Sequence, residues 1–258
     1  MRPLLHRCAR AVLTGTGIQY LPVRARGGFN AGARWTLYPW TSYWRGTHEP
    51  VVTRALSELI PDWRGKACWD LGAHFGYYAC GFAQRVGPSG QVLAVEPFPS
   101  SFARLDRHRA MNRFAWMRCL PAAASNRDGE DELIADVREG DTGVHLAYDE
   151  NERPGDGVDV LRIRTVRLDG AVARGEVRLP DILKIGVEGH GHAALAGAID
   201  SIRRARPLIV MAFHSRAEID GTRALLDPLG YCWEPLQLGP GGNITGGDVL
   251  LRPTRPAA

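Results

Sequence analysis

The sequence predicts an α/β fold: an open, mostly parallel sheet with helices on both faces and an antiparallel hairpin closing one edge. Three observations lead there. Short apolar runs, KACWDLG, QVLAVEP, DILKIG and PLIVMAF, recur along the chain. Each is followed by a segment whose apolar residues fall at helical spacing. Near the end, YCWEPL and DVLLRP flank the turn-rich GPGGNITGG, the pattern of a hairpin. At 258 residues, 45% hydrophobic and 23% charged, the chain can bury a sizeable core.

In chain order, residues 1–62 read as an accessory layer. A helix is expected over residues 2–14, and FNAGARWTLYPW reads as a hairpin or extended strand after a glycine turn. HEPVVTRALSELI carries Val51, Val52, Ala55, Leu56 and Leu59 at helical spacing, with Thr47 as the expected cap. The main domain, residues 63–258, then alternates. KACWDLG is a strand and GYYACGFAQRVG a helix closing on Gly87. QVLAVEP is a strand and SSFARLDRHRAMN a helix capped by Ser100 or Ser101. AWMRCLPAAAS supplies a third strand, and DILKIG a fourth, followed by one helix over HAALAGAIDSIRRAR, whose late arginines suit the helix dipole. PLIVMAF is a fifth strand and AEIDGTRALLDPLG a helix. Between about residues 126 and 179, EDELIADV, GVHLAY and VLRIRTVRL read as short strands of an insertion.

Composition narrows the function. The net charge of +4 is carried almost wholly by arginine, with only Lys66 and Lys184 as lysines, and acids are interspersed throughout. That pattern does not describe a nucleic-acid-binding surface. The five cysteines, Cys8, Cys68, Cys80, Cys119 and Cys232, are scattered and form no C-x-x-C, which argues for a reducing, cytoplasmic compartment. No run approaches the roughly 20 apolar residues of a membrane span. The basic N-terminus is interrupted by arginines, so it reads as a packing helix rather than a signal peptide.

The chemistry gathers at strand ends, where open α/β folds place ligands. WDLGAHFGYY follows the first core strand and opens its helix. Gly72 and Gly76 permit a tight turn and close backbone approach to a ligand. The spacing D-x-G-x-x-x-G is not the G-x-G-x-x-G of dinucleotide sites, which counts against a nicotinamide-dependent oxidoreductase. Asp70 can attract a cationic amino group, and Glu96, ending the second strand, can accept hydrogen bonds from both hydroxyls of a ribose. Together they fit a nucleoside with a cationic amino-acid tail, as in S-adenosyl-L-methionine. Taken singly, each has a plainer reading: the glycines as a strand-to-helix turn, the acid as a solvated strand end.

The succession YPWTSYWRGTHEP, WDLGAHFGYYACGFAQRVGPSGQVLAVEPFP, MN, PAAASNRDGE, TVRLD, LKIGVEGHGHAALAGA and PLIVMAFH resembles the FkbM-type methyltransferases, from about Trp35 to Leu236. The resemblance implies a Rossmann-like seven-stranded methyltransferase sheet, S-adenosyl-L-methionine as methyl donor, and O-methylation of a sugar or polyketide-type natural-product hydroxyl. It implies that Asp70, Gly72, Ala73, His74 and Gly76 hold the methionine end and Glu96 the ribose. Pro97 and Phe98 then lie near the adenine, Ala123, Ala124 and Ser125 close that pocket, and Glu49 lines the donor site. His74 has the plainer alternative of capping the helix.

The chain departs from that family's pattern at three acids. Gly186, Gly191 and Ala212 stand where an Asp, a Glu and a Glu are usual, whereas Lys184, Glu188, Gly189 and His214 match. Adjacent fourth and fifth strands would cluster the three positions on one rim. Carboxylates there can act as base, bind a cation or orient substrate, and glycine or alanine can do none of these. Three readings stay open: a methyltransferase using other residues, a donor-binding protein with little turnover acting as a scaffold, or a site enlarged for a bulkier acceptor. Lys184, Glu188 and His214 are the catalytic candidates. His214 can instead be a structural hydrogen-bonded residue, and Lys184, on a buried strand, needs a partner, for which Glu188 is the obvious choice. H-x-H at His190 and His192, even with His214, does not carry a metal assignment. The aromatic set Trp35, Tyr38, Trp40, Tyr43 and Trp44 reads as core of the N-terminal layer, or as a wall for a sugar acceptor. That layer is also a possible homodimer surface.

Overall fold

The computed structural model describes residues 20–38, 41–136, 144–146 and 158–254, so the expected helix over 2–14 and Trp40 lie outside the described residues. The N-terminal layer holds β1 (Pro22–Arg24) paired antiparallel with β2 (Arg34–Thr36), then α1 (Pro50–Leu59). The main domain opens with β3 (Ala67–Leu71), α2 (Tyr77–Val86), β4 (Gln91–Val95), α3 (Pro99–Met111) and β5 (Met117–Leu120). The insertion follows as β6 (Ala123–Ala124), β7 (Gly129–Asp136), β8 (Val144–Leu146) and β9 (Val158–Val166). After α4 (Leu168–Ala173) come β10 (Ile182–Ile185), α5 (Gly191–Ala196), α6 (Ile199–Ala205), β11 (Leu208–Phe213), α7 (Arg216–Leu226), β12 (Tyr231–Gln237) and β13 (Gly247–Pro253).

Seven strands form the central sheet in the order β12-β13-β11-β10-β3-β4-β5. The pairs from β11 across to β5 are parallel, and the final hairpin adds two antiparallel strands at one edge. The chain runs outward from β3 through β4 to β5, then returns to build the other half from β10. The switch point therefore lies between β3 and β10, the crevice where such sheets place ligands. Strand alternation divides the apolar residues between two faces. Cys68, Val92, Ile182, Val210 and Leu250 join the core beneath the N-terminal layer. Trp69, Leu93, Leu183, Ile209 and Leu251 join the core on the opposite face.

The N-terminal layer is pinned close to the switch point. Trp35, fully buried, stacks on His108 with ring centroids 3.8 Å apart. His108 Nδ1 lies 2.8 Å from the Phe75 carbonyl, which only an N–H can satisfy, so Nε2 is the acceptor for the Thr36 N–H at 3.0 Å. Burial lowers the ring's pKa to about 4, in keeping with that neutral tautomer. The layer is thereby bonded to the residue next to His74.

Several sequence expectations give way here. Thr47 does not cap α1: its N-cap is Glu49, in left-handed conformation, with Pro50 opening the helix. Neither Ser100 nor Ser101 caps α3, because Pro99 starts the helix and Phe98 holds the N-cap position. The single helix expected after β10 is two, α5 and α6, separated at Gly197 and Ala198. A side chain at Gly197 would fall 1.9 Å from the Ser125 carbonyl, so this backbone must bend against the loop after β6. The expected third strand is also divided: β5 joins the central sheet, whereas β6 pairs with β9 in a separate four-stranded sheet of order β6-β9-β7-β8. The aromatic set splits as well, with Trp35 and Tyr38 in the core and Tyr43 facing the cavity described below.

Candidate active site

A cavity of about 360 Å³ opens at the carboxyl ends of β3, β4, β10 and β11, within the size range of small-molecule sites. It brings together Glu49, Asp70, Gly72, Ala73, His74, Glu96, Pro97, Phe98, Ala123, Ala124, Lys184, Glu188 and His214. Two expected residues stand back from it. Gly76 is the left-handed N-cap of α2 and abuts Leu105. Ser125 is buried, its hydroxyl 3.1 Å from His190 Nε2, and His190 is the one that reaches the cavity.

The turn after β3 is built by backbone geometry. Gly72 and Ala73 donate their N–H groups to the Val95 carbonyl at 2.9 and 3.0 Å, which ties the turn to the end of β4. Gly72 has φ of 77°, and a side chain there would meet the Gly186 carbonyl at 2.3 Å. The strand ends of β3 and β10 thus touch through a glycine. His74 and Glu49 are left-handed without being glycine, at φ of 49° and 40°, and both border the cavity, a common place for such strain. His74 does not cap α2; its ring stacks on Phe75 and its Nδ1 lies 2.9 Å from the Tyr43 hydroxyl.

Glu96 is braced from two sides. Its Oε2 accepts from the His74 N–H at 2.7 Å and its Oε1 from the Phe98 N–H at 2.8 Å. Each carboxylate oxygen keeps a lone pair for a further donor. Burial raises its pKa to about 7 against those two hydrogen bonds. Asp70 is 2% exposed and its Oδ2 has no hydrogen-bond partner among the described residues. Burial lifts it to about 7, although Lys184 pulls the other way. A buried carboxylate with an unused oxygen in a cavity is poised for a cationic ligand.

At the opposite rim the expected Lys184–Glu188 pair is absent. Lys184 Nζ is 3.9 Å from Glu49 Oε2 and 3.9 Å from Asp248 Oδ1. Glu188 turns instead to His214, Oε2 to Nε2 at 2.9 Å. β10 directs Lys184 under the N-terminal layer, where the αL kink at Glu49 brings its carboxylate over the strand. Burial opposes ionisation of Glu49, but Lys184, His48 and the Tyr78 hydroxyl outweigh it and hold the carboxyl well below its ordinary range. His214 is raised to about 9 by its bond to Glu188, helped by the buried Glu218. The Gly189 N–H, 3.2 Å from Nδ1, works the other way, since it needs that nitrogen unprotonated.

The three expected acid positions do not share one rim. Gly186 and Ala212 line the cavity, but Gly191 lies on the other face of the sheet, against Met211 and Ile185. Its place is taken: Glu218 Oε1 accepts from the Gly191 N–H at 2.8 Å while Oε2 accepts from the His214 N–H at 2.8 Å. A side chain at Gly191 would sit 2.2 Å from Met211 Cε, whereas one at Gly186 would make only ordinary contacts, the nearest being Lys184 Nζ at 3.6 Å. Gly186→Asp is therefore expected to fold normally. Gly191→Glu should cost several kcal/mol, through overpacking of about 1–3 kcal/mol plus a buried carboxylate facing Glu218. Denaturant melts of the two variants check this, and an unchanged midpoint for Gly191→Glu would refute it.

Sequence reading does not place His48, Tyr77, Tyr78 or Leu133 at the site, yet all line it, as does Tyr43, read as core or as an acceptor wall. Tyr77 and Tyr78 open α2, next to the glycine turn, so their proximity was legible; Leu133 arrives from the insertion sheet and had no local signal. Among the described residues, no group of three or more His, Cys, Asp or Glu side chains is placed to hold a metal ion, and no helix is long and apolar enough to cross a membrane.

The family model described as the methyltransferase FkbM domain matches residues 70–232, from the acid of the glycine turn to the first edge strand. The chain belongs to the FkbM methyltransferase family. It is 27% identical over 185 residues to the hexuronic acid methyltransferase AglP of Haloferax volcanii, a match covering 69% of each chain. Its fold is similar to a crystal structure of methyltransferase FkbM from Methylobacillus flagellatus KT, with a TM-score of 0.50 at 17% identity. That match covers 72% of this chain and 43% of the other, so this chain spans less than half the length of that structure.

Proposed function

We propose that this methyltransferase takes S-adenosyl-L-methionine as donor and methylates a hydroxyl of a sugar or polyketide-type natural product. The observation that carries the reading is Asp70, buried with an unused carboxylate oxygen beside the Gly72 turn and in one cavity with the braced Glu96. Asp70 would hold the ammonium of the methionine end, and Glu96 the two ribose hydroxyls through its remaining lone pairs. Phe98, Ala123, Ala124 and Leu133 offer an apolar slot for the adenine. When bound, the donor supplies a methyl group on cationic sulfur, open to in-line displacement by oxygen. The chain's own task is then to orient the acceptor and take its proton. Lys184, Glu188 and His214 stand at that rim, and His214 is the proposed proton acceptor. The AglP relative, named for a hexuronic acid, supports a sugar acceptor.

Two pH dependences follow. Asp70 and Glu96 must be ionised to hold the donor, so affinity should rise as the pH climbs through about 7. In the ligand-free chain the same burial favours their protonated forms, so their contribution to folding weakens between about pH 4 and that value. His214 sheds its proton only near its raised midpoint of about 9, so turnover should continue to rise toward that pH. Calorimetry with S-adenosyl-L-methionine across this range, beside mass spectrometry of methylated glycan hydroxyls, tests both. Absence of donor binding at millimolar concentration would overturn the reading. Gly186 and Ala212 leave the rim without their expected carboxylates, which favours the second reading, a donor-binding scaffold; binding with no turnover on any hydroxyl acceptor would select it.

A further inference from the structure

Asp248 belongs to no motif of the sequence, yet it lies against the acceptor rim. It is the register partner of Ala212 across the antiparallel β11–β13 pair. Opposed residues of such a pair project on the same face with Cβ atoms about 4.5–5.5 Å apart. Asp248 alternates with buried Val249 and shares its face with Leu250; Ala212 shares that face through Val210, and Lys184 through Ile182. Ala212 and Lys184 both line the cavity. The Asp248 side chain is 13% exposed, and its Oδ1 has no hydrogen-bond partner among the described residues but lies 3.9 Å from Lys184 Nζ. Glu49, from the start of α1, approaches the same ammonium at an equal distance. Beside that ammonium Gly186 lines the cavity, and a side chain there would make only ordinary contacts, its Cβ 3.6 Å from Lys184 Nζ.

We infer that Asp248 supplies from β13 the carboxylate that Ala212 lacks on β11, and that with Glu49 it positions the Lys184 ammonium to meet the acceptor oxygen in the space beside Gly186. Asp248 is a positioning residue acting through Lys184, and its place in methyl transfer rests on the function proposed above. The pairing of Asp248 with Lys184 stands without it.

The chain has only two lysines, so lysine labelled with carbon-13 at Cε gives two NMR signals, with Lys66 as an internal control. Asp248→Asn keeps the shape and removes the charge. The Lys184 signal should move and lose its carboxylate-dependent pH response, while that of Lys66 stays. Asp248→Asn combined with Ala212→Asp, which returns a carboxylate to the same face, should bring the Lys184 signal back toward its original position. Should Asp248→Asn fail to fold, as judged by the Lys66 signal and circular dichroism, Asp248→Glu keeps the charge and must preserve the Lys184 signal. A Lys184 signal indifferent to Asp248→Asn, or unrestored by the paired change in a folded protein, overturns the inference. Calorimetry with S-adenosylhomocysteine reads the other question separately: loss of all nucleoside binding in the unaltered chain would sink the donor assignment and leave the Lys184 pairing untouched.

Discussion

Glu96→Ala should weaken S-adenosyl-L-methionine binding by about two orders of magnitude while leaving the chain folded. Two losses combine. The proposed ribose contacts disappear, and hydrogen bonds to a charged group are worth about 1.5–3 kcal/mol each, tenfold per 1.4 kcal/mol. The His74 and Phe98 N–H groups also lose the acceptor that shapes the two turns around the cavity. Asp70 and Gly72 remain in place, because the Gly72 and Ala73 N–H groups are held by the Val95 carbonyl rather than by Glu96. Glu96→Gln should bind at intermediate strength, since its amide nitrogen cannot accept from either backbone donor. Calorimetry on both variants is the measurement. Donor affinity within a factor of about two of the parent for Glu96→Ala would remove Glu96 from the site.

Gly72→Ala should be strongly destabilising for the addition of a single methyl. At φ of 77° an L side chain costs about 1–2 kcal/mol. Its Cβ would also fall 2.3 Å from the Gly186 carbonyl oxygen and 2.8 Å from the carbonyl carbon, both backbone atoms that cannot rotate aside. With overpacking at about 1–3 kcal/mol, the sum is roughly 2–5 kcal/mol, a large share of a domain's stability. The same substitution separates the ends of β3 and β10, so donor affinity should fall along with the melting temperature. A variant as stable as the parent would show that the turn has a second conformation available, and the close approach to Gly186 would lose its importance.

Gly72 belongs to a turn that a ten-residue window displays, and Glu96 ends the next strand. An acid, two glycines and an aromatic pair between an apolar run and a helix carry their meaning locally, because the turn, the helix start and the strand end adjoin in the chain. The alternation that divides Cys68 from Trp69, or Val210 from Met211, is also local, and it gave the two faces of the sheet. Where local signals compete, backbone geometry decides: Ser100 and Ser101 are good caps, but Pro99 takes the first helical position. Asp248 did leave a trace. An acid inside the apolar DVLLRP needs a partner for the same reason that Lys184 does, and each is the other's.

By itself the sequence determined the alternation of strands and helices, the glycine turn with its two acids, and the kinship with FkbM methyltransferases. The first two rest on periodicity and on backbone dihedrals at successive strand ends, and the kinship on the order of motifs from about Trp35 to Leu236. Tertiary structure alone decided that Lys184 pairs with Glu49 and Asp248 instead of Glu188, that Glu218 fills the space at Gly191, and that Gly191 stands away from the cavity. Those outcomes depend on strand order and register between segments far apart in the chain. A period of two says which face a residue takes, but not which strand will lie beside it.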